Sequence, residues 1–225
     1  MFKRKKLEDE NGAQDSKKDE DSTEISLSQL LGPGPQEPEL RTLTIIGDIN
    51  EEMSKDAMAA LWYLQNNAKT KELVNPEDPE CEETKEVIQP IEIVVSTNGG
   101  NADDMFAIYD AIRWIREEVD IETYGLGKVM SAGTLLLASG TKGKRKIGKH
   151  CRVMIHSVIG GSVGPMHQLD NEMKEVKAIQ ESYIKAICEE TNLTERKLRS
   201  LLKKKVNIYL TAEEAVEHGF ADIIV

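Results

Sequence analysis

Apolar and polar positions follow two periods along this chain, and the pattern predicts that order begins near Leu40. Leu43-Thr44-Ile45-Ile46, followed by Gly47-Asp48, predicts a strand ending in a turn. Met53, Ala57, Ala60, Leu61, Leu64 and Ala68 then recur at helical spacing. Ile91-Glu92-Ile93-Val94-Val95 predicts a buried strand that runs directly into Ser96-Thr97-Asn98-Gly99-Gly100. The next helix carries Met105, Ile108, Tyr109, Ile112 and Ile115 on one face, and Ile121 to Tyr124 predicts a short strand leading into Gly125-Leu126-Gly127. Ala132 to Ser139 is almost wholly apolar, which suits a buried helix. Lys146 to Ile155 contains a strand whose apolar end, Val153-Met154-Ile155, runs into His156. Met166, Leu169, Met173, Val176, Tyr183, Ile184 and Ile187 outline a long helix, from about Pro165 to Glu190, and Leu198, Leu201 and Leu202 a shorter one. Thr211-Ala212-Glu213-Glu214 is a capping-box pattern, with Gly219 placed to end that last helix.

Strands alternating with helices predict α/β architecture with mainly parallel strands. A chain of 225 residues holds one good core with a tail. Residues 1–38 mix both signs of charge with Ser, Gly and Pro, and they are expected to form a disordered charged tail ahead of a single domain over 39–225. One short apolar patch, Ile25 to Leu31, interrupts that tail. Residues 70–88 are acidic and Pro-bearing, and they read as a surface insertion.

Composition narrows the function. A net charge of −11 argues against nonspecific nucleic-acid binding, which depends on neutralising phosphates, although Lys3 to Lys6 form a small basic run. No apolar run approaches the ~20 residues that cross a bilayer, and the basic N-terminus is not followed by the apolar stretch of a secretory signal. A cytoplasmic protein without membrane contact is expected. Cys81, Cys151 and Cys188 are widely spaced, so neither a disulfide framework nor a metal site is expected, and no cofactor. Cys151 and Cys188 read as small buried residues.

Three segments carry candidate chemistry. In Gly127-Lys128-Val129-Met130-Ser131-Ala132-Gly133 a serine stands between a strand and a buried helix, where unpaired backbone N–H groups favour an oxyanion. Serine is equally an ordinary N-cap. Asn98-Gly99-Gly100 ends an apolar strand, and paired glycines either expose N–H groups to a ligand or make a tight turn. His156, at a strand end with Gly160-Gly161 beyond, can shuttle protons into a cleft or be a structural histidine. His150, His167 and His218 fall in polar or helix-terminal contexts.

In this chain order, strand–Gly-Gly–helix, strand–Gly-x-x-x-Ser–apolar helix and Met-Ile-His-x-x-x-Gly-Gly resemble the ClpP-type serine peptidases, the proteolytic subunits of the Clp protease. Gly140-Thr141-Lys142-Gly143-Lys144-Arg145 and Ala212 to Gly219 are similar to the same family, and the likeness runs from about Leu40 to Val225. The resemblance implies a ClpP/crotonase-like fold of stacked β-α units with mainly parallel strands and a protruding long helix. It implies Ser131 as nucleophile, His156 as general base, and the N–H groups of Gly100 and Ala132 as oxyanion donors. Substrate is implied to lie extended between Asn101-Ala102 and Val158-Ile159. At the position of the family's usual triad aspartate stands Asn207, whose amide oxygen can orient an imidazole but adds no charge. Asn98 stands where the family commonly has proline. Also implied are a homo-oligomer of two stacked heptameric rings, an AAA+ unfoldase as partner, and unfolded polypeptides as substrates; the long helix, with Met and Ile available for packing, is either the ring–ring contact or an ordinary core helix.

Three other readings remain open. Asn207 suits a catalytically weak or inactive structural subunit of a mixed ring. A related crotonase-type fold acts on acyl-CoA, although no site for the CoA phosphates and adenine stands out. A serine–lysine dyad, as in signal-peptide peptidases, has only Lys128 to offer and leaves His156 without a role.

Overall fold

The computed structural model of the chain describes residues 40–75, 77, 82–204 and 206–225. The expectations for residues 1–38, including Lys3–Lys6 and Ile25–Leu31, fall outside the described residues, as does Cys81. Among the described residues the chain runs β1 (Thr42–Ile49), α1 (Glu51–Asn66), β2 (Lys69–Leu73), β3 (Thr84–Ile88), β4 (Ile91–Gly100) and α2 (Ala102–Ile115). It continues as β5 (Ile121–Met130), α3 (Ala132–Ala138), β6 (Arg145–Ile147), β7 (Arg152–Ile155) and α4 (Met166–Glu190). The last elements are α5 (Glu195–Leu202), β8 (Ile208–Leu210), α6 (Ala212–Glu217) and β9 (Ile223–Ile224).

Seven strands form one sheet in the order β1-β4-β5-β6-β9, with β7 joined to β5 and β8 to β7. All pairings in it are parallel except β7 with β8. This is the α/β fold with a mostly parallel sheet that the pattern predicts. Several strands are longer than their apolar runs. The run Ile121 to Tyr124 extends through Gly125-Leu126-Gly127 to Met130, because β5 changes partner there: Thr123–Gly125 pair with β6, and Lys128–Met130 pair with β7. The segment Lys146 to Ile155 accordingly splits into two strands. In β4, expected as a buried strand, Ile91, Ile93, Val95 and Thr97 are buried while Glu92, Val94 and Ser96 face the half-exposed side. That is the period-2 pattern of a sheet covered on one face.

Local signals set the helix ends. Asn50 caps α1 by accepting from Met53 N–H at 2.9 Å. Thr211 and Glu214 close the capping box of α6, and Gly219 follows its end. Every residue of α3 is buried. In α4 only the C-terminal half is buried, through Tyr183, Ile184, Ala186, Ile187 and Glu190, whereas Met166 and Met173 are exposed. Residues 70–88 hold the antiparallel hairpin β2–β3, whose side chains are largely exposed.

Two buried charge clusters tie the C-terminal part of the chain to the sheet. Arg145, 3% exposed, forks onto Asp222 through Nε (2.8 Å) and a terminal nitrogen (2.5 Å), and gives its other terminal nitrogen to the carbonyls of Ala138 and Glu190. Burial works to raise the Asp222 carboxyl, but the Arg145 guanidinium and the N–H groups of Arg145 and Gly143 hold it below the usual carboxylate range. Glu190, 1% exposed, accepts from the Tyr109 hydroxyl and pairs with Arg116. Cys151 is buried, which pushes its thiol up to about 11, and Cys188 is half-buried.

Candidate active site

Three neighbouring parallel strands, β4, β5 and β7, end at one place. Thr97 pairs with Val129, and Met130 pairs with Met154, so Gly99-Gly100, Ser131 and His156 emerge side by side at the carboxyl ends of their strands. In open α/β sheets that edge is where ligands bind.

Ser131 stands at the N-cap position of α3 without acting as a cap: its side chain accepts no hydrogen bond from the helix. Its backbone lies at φ 55, ψ −122, and it is the one non-glycine residue at positive φ among the described residues. Such a conformation costs about 1–3 kcal/mol and persists only where surroundings impose it. The Ser131 N–H donates to the Met154 carbonyl at 2.8 Å, which ties the turn to β7. The side chain is thereby turned outward, and Ser131 Oγ lies 2.8 Å from His156 Nε2. Gly99 makes room for it. With φ at 100, a Cβ on Gly99 would fall 2.6 Å from Ser131 Cβ. A Cβ on Gly100 would collide with the Ile49 backbone. Thr97 fixes this glycine turn, with its hydroxyl accepting from Gly99 N–H at 2.9 Å and donating to the Gly47 carbonyl at 2.5 Å.

A cleft of about 400 Å³ opens over the pair, and Gly100, Ala102, Ser131, Ala132, His156 and Ile159 all line it. Lys128 is not among the lining residues. Ala132 opens α3, so its N–H is a first-turn donor with no acceptor in the helix. The two edges of the cleft differ: residues 157–159 have no regular structure, while Ala102 already begins α2 behind the N-cap Asn101. Met105, Val176 and Tyr183 form part of the cleft wall. The sequence shows these only as apolar helix positions, since a 3.6-residue period marks a core face and a cleft wall alike.

Asn207 is placed differently. Ile155 pairs with Ile208 across the antiparallel β7–β8 ladder, which sets Asn207 beside His156 in register. Its side chain is exposed and does not line the cleft. Among the described residues no hydrogen bond joins the two, and His156 Nδ1 has no protein partner.

The Clp protease family model matches residues 81–225. The chain belongs to the Clp protease family. That membership supports a ClpP-like peptidase, and the match spans every strand end that builds the cleft. Proteins of the Clp protease family are typically oligomeric. No helix among the described residues is long and apolar enough to cross a membrane.

Proposed function

We propose that this Clp protease family member is a serine endopeptidase with Ser131 as nucleophile and His156 as general base. The observation that carries the reading is the 2.8 Å contact between Ser131 Oγ and His156 Nε2, made by a strained serine at the floor of an open cleft. His156 takes the hydroxyl proton as Ser131 Oγ attacks a peptide carbonyl, and returns it to the leaving amine. Water, activated by the same imidazole, then releases the acyl group. The N–H groups of Gly100 and Ala132 hold the tetrahedral oxyanion, each worth about 3 kcal/mol in comparable sites. An extended substrate chain lies between Ala102 and Ile159, along the irregular edge after His156. Asn207 is the neighbour from which His156 draws orientation once substrate closes the cleft.

Assembly follows from family and surface together. The exposed Met166 and Met173 on the outer half of α4 suit the contact between two stacked heptameric rings, and an enclosed chamber would keep the site away from folded cytoplasmic proteins. An AAA+ unfoldase would deliver unfolded polypeptide to that chamber, and no cofactor, nucleic acid or membrane enters the reaction.

A second reading has its own support. The exposed Asn207 and a His156 Nδ1 with no partner among the described residues suit a catalytically weak or inactive subunit of a mixed ring. Labelling of the assembled protein with a fluorophosphonate, with Ser131→Ala as control, separates the two. Labelling that disappears in the variant is the expected result. Absence of labelling in the native protein removes the first reading in favour of the second, and a monomeric mass under all conditions removes the ring.

A further inference from the structure

The strained backbone of Ser131 is held from an unexpected side, by the long helix α4. Thr134, fully buried on α3, donates its hydroxyl to the Ser131 carbonyl at 2.6 Å, and its N–H reaches the same oxygen at 3.0 Å. The hydroxyl of Tyr183, a residue 4% exposed on α4, lies 2.8 Å from Thr134 Oγ1 and 3.4 Å from the Ser131 carbonyl itself. Because the Thr134 proton is committed to Ser131, Tyr183 is the donor between the two side chains. Burial pushes the Tyr183 hydroxyl up to about 12, against the lowering effect of Thr134, so it stays a neutral donor. A threonine bonding the carbonyl three residues back is ordinary near a helix start. A second buried hydroxyl, brought in from another element to close on the one left-handed serine, is not.

One turn earlier on α4, Gln180 Oε1 accepts the Val158 N–H at 2.8 Å, two residues beyond His156. A single turn of α4 therefore grips both segments that carry the Ser131–His156 pair.

We propose that Tyr183, acting through Thr134, and Gln180 are positioning residues that hold Ser131 and the His156 segment at reacting distance. Resting on the peptidase reading above, this adds a source for the serine's strain. The Ser131 N–H is tied to β7 and its carbonyl to the Tyr183–Thr134 chain, so the residue cannot relax to an ordinary helix cap without breaking one of them.

The test uses the full chain and the variants Tyr183→Phe, Thr134→Val and Thr134→Ser, with Gln180→Leu for the second grip. Fluorophosphonate labelling rate, and kcat and KM on a fluorogenic peptide, are read alongside thermal unfolding. Tyr183→Phe and Thr134→Val each lower the labelling rate and kcat by about tenfold with KM nearly unchanged. Combining them costs little more than either alone, since they break one chain. Thr134→Ser restores the rate, and Gln180→Leu lowers kcat to a smaller extent. Labelling at the native rate in both Tyr183→Phe and Thr134→Val, in protein that melts normally, overturns the inference. If the native protein itself does not label, the peptidase reading falls, and the positioning role is judged in crystals of the same two variants. Ser131 leaving its positive φ, or its Oγ moving out of hydrogen-bond reach of His156, then supports the role. An unchanged turn in both variants overturns it.

Discussion

Adding a methyl group to Gly99 places a known displacement on Ser131 while leaving the chemistry of both reacting side chains unchanged. The new Cβ lies 2.6 Å from Ser131 Cβ and 2.9 Å from the Met130 carbonyl, whereas ordinary contact begins at 3.4 Å. Ser131 Cβ must therefore recede by roughly 0.8 Å. A shift of that size, carried to Oγ, stretches the 2.8 Å contact with His156 to about 3.6 Å, beyond a hydrogen bond. The left-handed backbone at Gly99 adds about 1–3 kcal/mol of strain to any side chain there. Misplacement of a reacting group by about 1 Å can cost on the order of 100-fold in rate. Gly99→Ala is thus expected to lower fluorophosphonate labelling and kcat/KM by about two orders of magnitude. Its melting temperature should fall by about 2–12 °C, at about 2–4 °C per kcal/mol for a domain of this size. Stopped-time labelling at several probe concentrations, with circular dichroism melts on the same samples, measures both. A Gly99→Ala protein that labels within threefold of the native rate would refute the claim that close approach of β4 sets the serine's place.

Asn207→Asp puts a carboxylate next to His156 in register, and its negative charge favours the imidazolium. Turnover of a fluorogenic peptide should rise at least tenfold, with the acid limb of its pH profile moved to higher pH, and an unchanged rate would remove Asn207 from the site. Asp222→Asn leaves the buried Arg145 without its carboxylate and should cost about 3 kcal/mol, read as a loss of roughly 6–12 °C in melting temperature. Because the folded Asp222 titrates below its unfolded value of about 3.9, its contribution is present above that pH and is lost as pH falls through the folded value. Native protein should therefore lose stability more steeply than Asp222→Asn in that acid range, and parallel curves would refute the assignment. Met173→Glu charges the exposed seam of α4, and light scattering should show the assembly halved or dissolved.

What the sequence makes legible depends on how local the cause is. The capping box at Thr211 and Glu214 and the wholly apolar α3 declare themselves within a few residues. The alternation of strands and helices declares the parallel sheet, because parallel neighbours need a crossover between them. The places of Ser131 and His156 are legible from their position at strand ends. The φ of Ser131 is not, since a serine before a helix looks the same whether it caps or not. The hairpin β2–β3 is hidden by its short, largely exposed strands, which lack an apolar face to mark them. The apolar seam of α4 is visible as one line from Met166 to Ile187, yet periodicity cannot say that only its second half meets this chain's own core. Contacts such as Tyr183 with Thr134, 49 residues apart, or Arg145 with Asp222, 77 apart, leave no local trace at all.

The change of partner within β5 has a consequence for how the protein fails. Once β5 leaves β6 it is matched residue by residue to β7, so the distance from Ser131 to His156 is measured out by main-chain hydrogen bonds and the few polar contacts of Thr134, Tyr183 and Gln180, not by the bulk of core side chains. Substitutions that loosen the interior can lower the melting point without lengthening that distance. Heat, in turn, cannot separate the two residues gradually: the ladder holds its spacing until the sheet itself comes apart. Reactivity of the serine and cooperative melting of the domain should therefore vanish in the same few degrees, with no warm, folded but unreactive state between them.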